Sequence, residues 1–178
     1  MNIDEFMELD KSFNPSVFIN KADNIFVKLF TAVMLNELDN VKHFISEDVY
    51  KIYQEKIDVL DKKGQRQMYD ELNVKNSIIS AIDVIDSKYV IDVNLTARYM
   101  DYVIDLNSGE KVCGMDDRRI EVNYHLRFIR DIKVLQQGIV RRCSSCGAPM
   151  DINNSGRCSY CGSIYNLEDY DWILDSIK

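Results

Sequence analysis

Tyr89-Val90-Ile91-Asp92-Val93-Asn94-Leu95-Thr96-Ala97-Arg98-Tyr99 alternates strictly between apolar and polar side chains over its last nine residues. Tyr89, Ile91, Val93, Leu95, Ala97 and Tyr99 fall on one face, and Asp92, Asn94, Thr96 and Arg98 on the other. A period of two with one oily face predicts a long β-strand covered on one side only. Two further stretches repeat the pattern. Upstream, from about Leu72, Ile78, Ser80, Ile82 and Val84 alternate with Ile79, Ala81 and Asp83, and Asp86-Ser87-Lys88 is a turn. Downstream, Asn107-Ser108-Gly109 signals a hairpin, after which Ile120, Val122, Tyr124, Leu126 and Phe128 face one way and Glu121, Asn123, His125 and Arg127 the other.

Ahead of the strands the period is helical. Residues 3–11 form a short amphipathic segment. Asn14-Pro15 marks a helix start, since asparagine caps and proline at the first position loses nothing by lacking an N–H. Phe18, Ala22, Ile25, Phe26, Leu29, Phe30, Val33 and Met34 then make one apolar stripe, with Lys21, Asp23 and Lys28 off it. Leu38-Asp39-Asn40 breaks that helix, Ser46 caps another bearing Val49, Ile52, Tyr53, Ile57 and Leu60, and Gly64 ends it. Helices first and antiparallel strands after give an α+β fold, with the helices packed on a curved sheet. Strands this long twist around the helix and enclose a concave apolar space. Its candidate lining is Phe26, Phe30, Ile91, Val93, Tyr124 and Leu126.

Behind the strands lie Cys143-Ser144-Ser145-Cys146-Gly147 and Cys158-Ser159-Tyr160-Cys161-Gly162. Each is a Cys-x-x-Cys-Gly knuckle that can turn two thiolates onto one ion, so Cys143, Cys146, Cys158 and Cys161 form a tetrahedral Zn²⁺ set. A pair of disulfides and a rubredoxin-like iron site are the competing readings; the first needs an oxidising compartment, the second normally a longer gap between knuckles. Four thiolates leave no open coordination position, so the zinc is structural. Residues 141–170 carry few apolar side chains, so metal binding supplies most of the ribbon's folding energy. The expected division is residues 1–138 for the α+β domain and 139–178 for the zinc ribbon with its Trp172 segment. Trp172 either docks that segment or offers an aromatic anchor to a partner. Cys113 reads as a lone thiol.

A net charge of −7 disfavours coating nucleic acid. The basic concentration Arg118-Arg119, Arg127, Arg130, Lys133, Arg141-Arg142 reads as salt-bridged surface, given the acidic ribbon beside it. The start, Met1-Asn2-Ile3-Asp4-Glu5, resembles neither a signal nor a transit sequence, and Ile25–Leu38, the most hydrophobic stretch, is interrupted by Lys28, Asn36 and Glu37. The expectation is an intracellular, cytoplasmic protein in a reducing compartment, with peripheral membrane association and a homodimer through the outer sheet face left open. His43 and His125 lack a carboxylate neighbour fixed by spacing and read as surface residues, as do Asp92, Asp101 and Asp105.

Asp23-Asn24-Ile25-Phe26-Val27-Lys28-Leu29-Phe30, the break at Glu37-Leu38-Asp39, Phe44-Ile45-Ser46-Glu47-Asp48-Val49 and the strand ending Tyr124-His125-Leu126-Arg127-Phe128-Ile129-Arg130 resemble the Tim44-like domain. The ribbon followed by Asp171-Trp172-Ile173-Leu174 is similar to the tail of bacterial Tim44-like proteins that end in a zinc ribbon. The resemblance covers roughly residues 15–175. It implies an NTF2-like cone joined to a ribbon, and it brings no catalytic residue. The mitochondrial member's chaperone-binding region has no counterpart here, so import-motor function is not carried over. The reading that follows is a non-enzymatic binding or scaffold protein holding a small ligand, lipid or peptide in the cone, with the ribbon contacting protein. Its alternatives are an isomerase- or dehydratase-like enzyme using the cavity, by fold analogy, and nucleic-acid binding through the ribbon.

Overall fold

The computed structural model describes residues 1–132, 141–142, 146–150, 158, 160–162 and 172–178. Helix α1, Ile3–Leu9, opens on a capping box in which Asn2 and Glu5 each accept the other's backbone amide. Helix α2, Pro15–Leu35, starts where the Asn14 side chain accepts the Val17 amide, and it ends at Asn36 in the left-handed region at φ 55°. A 3-10 turn over Leu38–Val41 leads to helix α3, Glu47–Asp61, capped by the Ser46 hydroxyl on the Val49 amide. Among the described residues no helix is long and apolar enough to cross a membrane.

Strands β1 (Gln65–Ile85), β2 (Lys88–Asp105), β3 (Lys111–Asp131) and β6 (Ile173–Ile177) form one antiparallel sheet in the order β1-β2-β3-β6. Strands β4 (Arg141–Arg142) and β5 (Pro149–Met150) pair separately and flank the first cysteine knuckle. Helices against one face of an antiparallel sheet confirm the α+β class. On β2, Ile91, Val93, Leu95, Ala97 and Tyr99 are buried beneath α2, as the alternation requires. The opposite face is a polar ladder: Asp92 stands across from Arg127, Asn94 from His125, Thr96 from Asn123 and Arg98 from Glu121, each pair in contact.

β1 departs from the expected pattern twice. It begins at Gln65, before the period-two stretch, because Gln67 faces inward; its amide donates to Asp101 Oδ1 at 2.7 Å and to the Tyr102 carbonyl at 3.1 Å. A buried polar side chain with partners hides the strand from a hydrophobicity count. A bulge between Ile79 and Ala81 then reverses the side-chain parity. Ile79 opposes Val93 while Ile82 opposes Ile91 and is buried, and Ile78 and Val84 are left exposed.

The sheet bends at Met100, where bulges meet from both sides. Asn73 pairs with Arg98 and Asp70 with Met100, so β1 has an extra residue at Glu71, which takes φ 53°. Tyr99 pairs with Ile120 and Asp101 with Met115, which extrudes 116–119 from β3. Glu71 and Arg119 join across the bend at 3.5 Å. Such bulges concentrate twist and give the sheet its curvature.

β6 lies between β3 and the Phe44–Ser46 segment. The Leu174 amide donates to the Phe44 carbonyl at 2.8 Å and the Ser46 amide to the Leu174 carbonyl at 2.9 Å, while Phe128 and Ile129 pair on the other side. Leu174 and Trp172 are buried in the main core. Residues 172–178, grouped with the ribbon at the sequence level, therefore pack as part of the helix-backed sheet.

Candidate functional site

The six residues expected to line a concave pocket fill it instead. Phe26, Phe30, Ile91, Val93 and Leu126 are each at most 2 % exposed, too little to touch water in a cavity. The rings of Phe26 and Phe30 lie 4.3 Å apart, and Tyr124 stacks 5.0 Å from Phe26. Tyr53, Tyr69, Tyr99 and Tyr124 surround Phe30. The hydroxyls of Tyr99 and Tyr124 bond to each other, and Lys56 Nζ donates to the Tyr69 hydroxyl at 2.7 Å. Burial raises the pKa of all four phenols and lowers that of the Lys56 ammonium. The cavity bordering Lys56, Asp61 and Gln67 is about 10 Å³, water-sized. Sequence alternation located the inward face correctly. It carries no information on whether large inward rings meet in the middle.

A larger space lies elsewhere on α2. A cleft of about 540 Å³ runs along the face carrying Asn14, Val17, Asn20, Lys21, Asn24 and Lys28. Its other wall is built from Phe13, Phe18, Phe44, Arg130 and Trp172. Helical spacing of three and four puts those α2 residues beside, rather than on, the buried stripe. Lys21 and Lys28 stood off the stripe in the sequence, which is the one signal that could have located this cleft. The opposite wall needs β3 and β6 together, which spacing does not reveal.

Arg130 organises that wall. Its guanidinium is ion-paired with Asp10, both side chains only 4 % exposed, and lies 4.4 Å from the Trp172 ring and 5.4 Å from the Tyr89 ring. Burial works against the Asp10 carboxylate, yet hydrogen bonds from Ser12 and Arg130 outweigh it and hold its pKa below the usual value. Trp172 itself is buried, with its ring 5.0 Å from Phe18 and 6.4 Å from Phe13. As an exposed partner anchor it is corrected: the indole docks the tail onto the core and only borders the cleft.

Of the four expected zinc ligands, Cys143 lies outside the described residues. Cys146, Cys158 and Cys161 are together, their sulfurs all within 4.8 Å of one another. Cys146 Sγ and Cys158 Sγ are 3.8 Å apart, far beyond a disulfide bond. That separation matches the edge of a tetrahedron with Zn–S bonds of about 2.3 Å, which is about 3.8 Å. Gly147 and Gly162, each following the second cysteine of its knuckle, have φ 71° and 74°, and the Gly162 amide donates to the Cys158 carbonyl at 2.9 Å. The left-handed turn that only glycine takes easily is what brings the thiolates round. The three described cysteines fit a metal ion.

The remaining candidates are placed as follows. Cys113 is exposed on β3 opposite Val103, outside the cysteine cluster. His43 packs its ring 4.0 Å from Phe44. His125 does have a carboxylate neighbour: its Nδ1 is 2.9 Å from Asn94 Oδ1 and its Nε2 is 3.7 Å from Asp92, which register across strands supplies and sequence spacing could not. Asp92 is far from solvated, being held bidentately by Arg127 on the outer sheet face. Of the basic concentration, Arg119, Arg127 and Arg130 each meet a carboxylate and Arg118 Nε lies 3.4 Å from Met115 Sδ, while Lys133 lies outside the described residues.

The family model described as "Tim44-like domain" matches residues 1–138. No curated protein matches the sequence. Among solved structures, the crystal structure of the intermembrane space region of the chloroplast protein ARC6 is similar at 10 % identity and a TM-score of 0.46, over 90 % of this chain and 94 % of that one.

Proposed function

This chain belongs to the Tim44-like domain family, and on that premise we propose that it is a non-enzymatic binding and scaffold protein. Its docking place is the cleft along α2 beside Trp172, and a zinc ribbon held by Cys146, Cys158 and Cys161, with Cys143 as the expected fourth ligand, serves as a second protein contact. The observation that carries this reading is the contrast between the two sides of α2. One is packed solid by Phe26 and Phe30, and the other opens a cleft of about 540 Å³, within the range that ligand and peptide sites occupy. On the packed side the hydroxyls of Tyr69, Tyr99 and Tyr124 bond to neighbouring side chains, and the cavity bordering Lys56 is only about 10 Å³.

Site-specific photo-crosslinking tests it. A benzoylphenylalanine at Val17, a cleft residue 61 % exposed, is expected to capture a partner in cells. The same group at Asn94 on the polar sheet face is the control. Adducts from Asn94 alone, or from neither position, would overturn the cleft as the docking place.

A further inference from the structure

β1 borders the four-stranded sheet, and its outer side is an edge. The Met1 ammonium donates to the Ile82 carbonyl at 2.8 Å, so the backbone groups of Ile82 face away from β2. Ile82 opposes Ile91, while Ile79 and Ser77 oppose Val93 and Leu95, two and four positions further along β2. Backbone groups alternate in direction along a strand, so Ile79 and Ser77 also turn theirs outward. Among the described residues, no backbone bond outside the ladder reaches residues 76–79. Edges are normally blunted by charges, prolines or bulges. Bulges bound this segment, between Val74 and Asn76 and between Ile79 and Ala81, but Asn76-Ser77-Ile78-Ile79 itself holds neither charge nor proline.

An open cleft of about 430 Å³ lies beside this edge, between Ile3 of α1, Ile19 and Asn20 of α2, and Ser77, Ile78 and Ile79 of β1. Ile78 is 58 % exposed. A strand laid along the edge would set alternate side chains against Ile3 and Ile19, and the others beside Ile78.

One charge marks the site. Asp23 lies one helical turn beyond Ile19 and Asn20 and continues their face of α2. Its carboxylate accepts a hydrogen bond from the Ser77 hydroxyl. Burial works against that charge, the Ser77 bond supports it, and among the described residues no cation contributes. A single hydroxyl leaves most of a carboxylate's acceptor positions to an incoming ammonium or guanidinium. A second copy paired edge to edge would bring Lys75, the lysine of β1, but Glu121 holds that side chain on the outer sheet face at 2.9 Å.

We propose that this edge takes a short extended segment of a partner protein as an added strand, with a lysine or arginine at Asp23 and apolar side chains against Ile3, Ile19 and Ile79. Backbone bonds supply the affinity, and Asp23 sets the sequence preference. The site is separate from the cleft beside Trp172, so the outcome of the Val17 crosslink does not bear on it.

Amide NMR on the full chain tests this, with the end-blocked heptapeptide Ser-Val-Thr-Lys-Thr-Val-Ser as probe. Its valines and lysine share one face, and the control carries glutamate in place of lysine. The lysine peptide is expected to shift the amides of Ser77 and Ile79 and slow their exchange with solvent. The glutamate peptide should bind about tenfold more weakly. N-methylation of one alternating set of peptide amides should abolish binding and of the other set leave it, since only one set faces β1. Asp23→Asn, with Trp172 emission matching the wild type, should weaken the lysine peptide about fivefold. If that variant fails to fold, the two peptides on the wild type still decide. Equal binding of both peptides, binding of neither, or shifts that miss Ser77 and Ile79 overturns the proposal. So does tolerance of N-methylation at both sets, or indifference of a folded Asp23→Asn. Shifts at Ser77 and Ile79 that grow with protein concentration alone, beside a dimer in sedimentation, overturn it in favour of a second copy.

Discussion

The guanidinium of Arg130 lies 4.4 Å from the ring of Trp172, while the same group is ion-paired with Asp10. Three parts of the chain meet there: the turn after α1, the end of β3 and the segment entering β6. Removing Asp10 would break a buried ion pair, which typically costs about 3–5 kcal/mol. Asp10→Ala is therefore expected to lower the urea midpoint sharply, and a change below about 1 kcal/mol would show the pair to be solvated.

Acid should act through the same contact. The pKa of Asp10 is held below its ordinary value of 3.8, and that of Asp92 is lowered chiefly by its hydrogen bonds from Arg127. A carboxyl with a depressed folded-state pKa stabilises the fold fully above its unfolded value, and that stability is lost as pH falls through the folded pKa. Trp172 emission should thus hold steady on acidification to about pH 4 and shift red below it, as both pairs protonate. In Asp92→Asn the acid-dependent loss should be smaller. An identical titration would mean that the outer-face pair contributes nothing.

Metal removal should be local. One zinc per chain is expected by elemental analysis, and Cys158→Ser should lower that stoichiometry. Among the described residues, however, the tail strand is held by Phe44, Ser46 and β3. Loosening the connection that leads to it matters little, since closing a loop costs only about 0.6 kcal/mol more for each doubling of its length. Chelation should leave the Trp172 emission unchanged and lower the main unfolding transition by about 2 °C. A large red shift on zinc release would show instead that the metal keeps the tail seated.

What could be read from the sequence follows from which interactions are local. The face of β2, the apolar stripe of α2 and its Asn14-Pro15 start need only neighbouring residues, and all three stand as expected. So do the glycines after Cys146 and Cys161, because a tight turn imposes its own residue. The errors come from pairings across strands. Gln67 is satisfied by Asp101, an extra residue before Ala81 reverses the inward set of β1, and Asp92 meets Arg127 and His125 only through register. Trp172 reads first as a dock for the tail, with the partner anchor as its alternative, and which surface it docks on shows only when β6 is seen beside β3.

Gly114 gives a sharp test of the bend. It sits at φ 92° opposite Tyr102, and a β-carbon there would lie 2.3 Å from the Asp101 carbonyl oxygen. Both the backbone conformation and the contact exclude a side chain, and backbone in such a region costs about 1–3 kcal/mol before the clash is counted. Gly114→Ala should therefore destabilise by more than that range, whereas Gly109→Ala, with nothing within 4 Å, should show only the conformational part. Equal effects at both positions would mean that the β2–β3 approach is looser than the bulge implies.

The packed interior makes the most direct claim against a ligand cavity between helix and sheet. Phe30 is 2 % exposed and meets the rings of Phe26, Tyr53, Tyr69, Tyr99 and Tyr124. Truncating a residue so enclosed loses its transfer free energy and leaves a void, together about 3–5 kcal/mol. If an open pocket lay beneath it, the ring would already touch water or ligand and its removal would cost far less. Phe30→Ala should fall in the upper range and acquire an apolar cavity able to take benzene, with the variant's melting temperature rising on benzene addition and the wild type's unmoved. A wild-type protein that is itself stabilised by benzene, with a loss below about 1 kcal/mol in the variant, would restore the interior as a binding site.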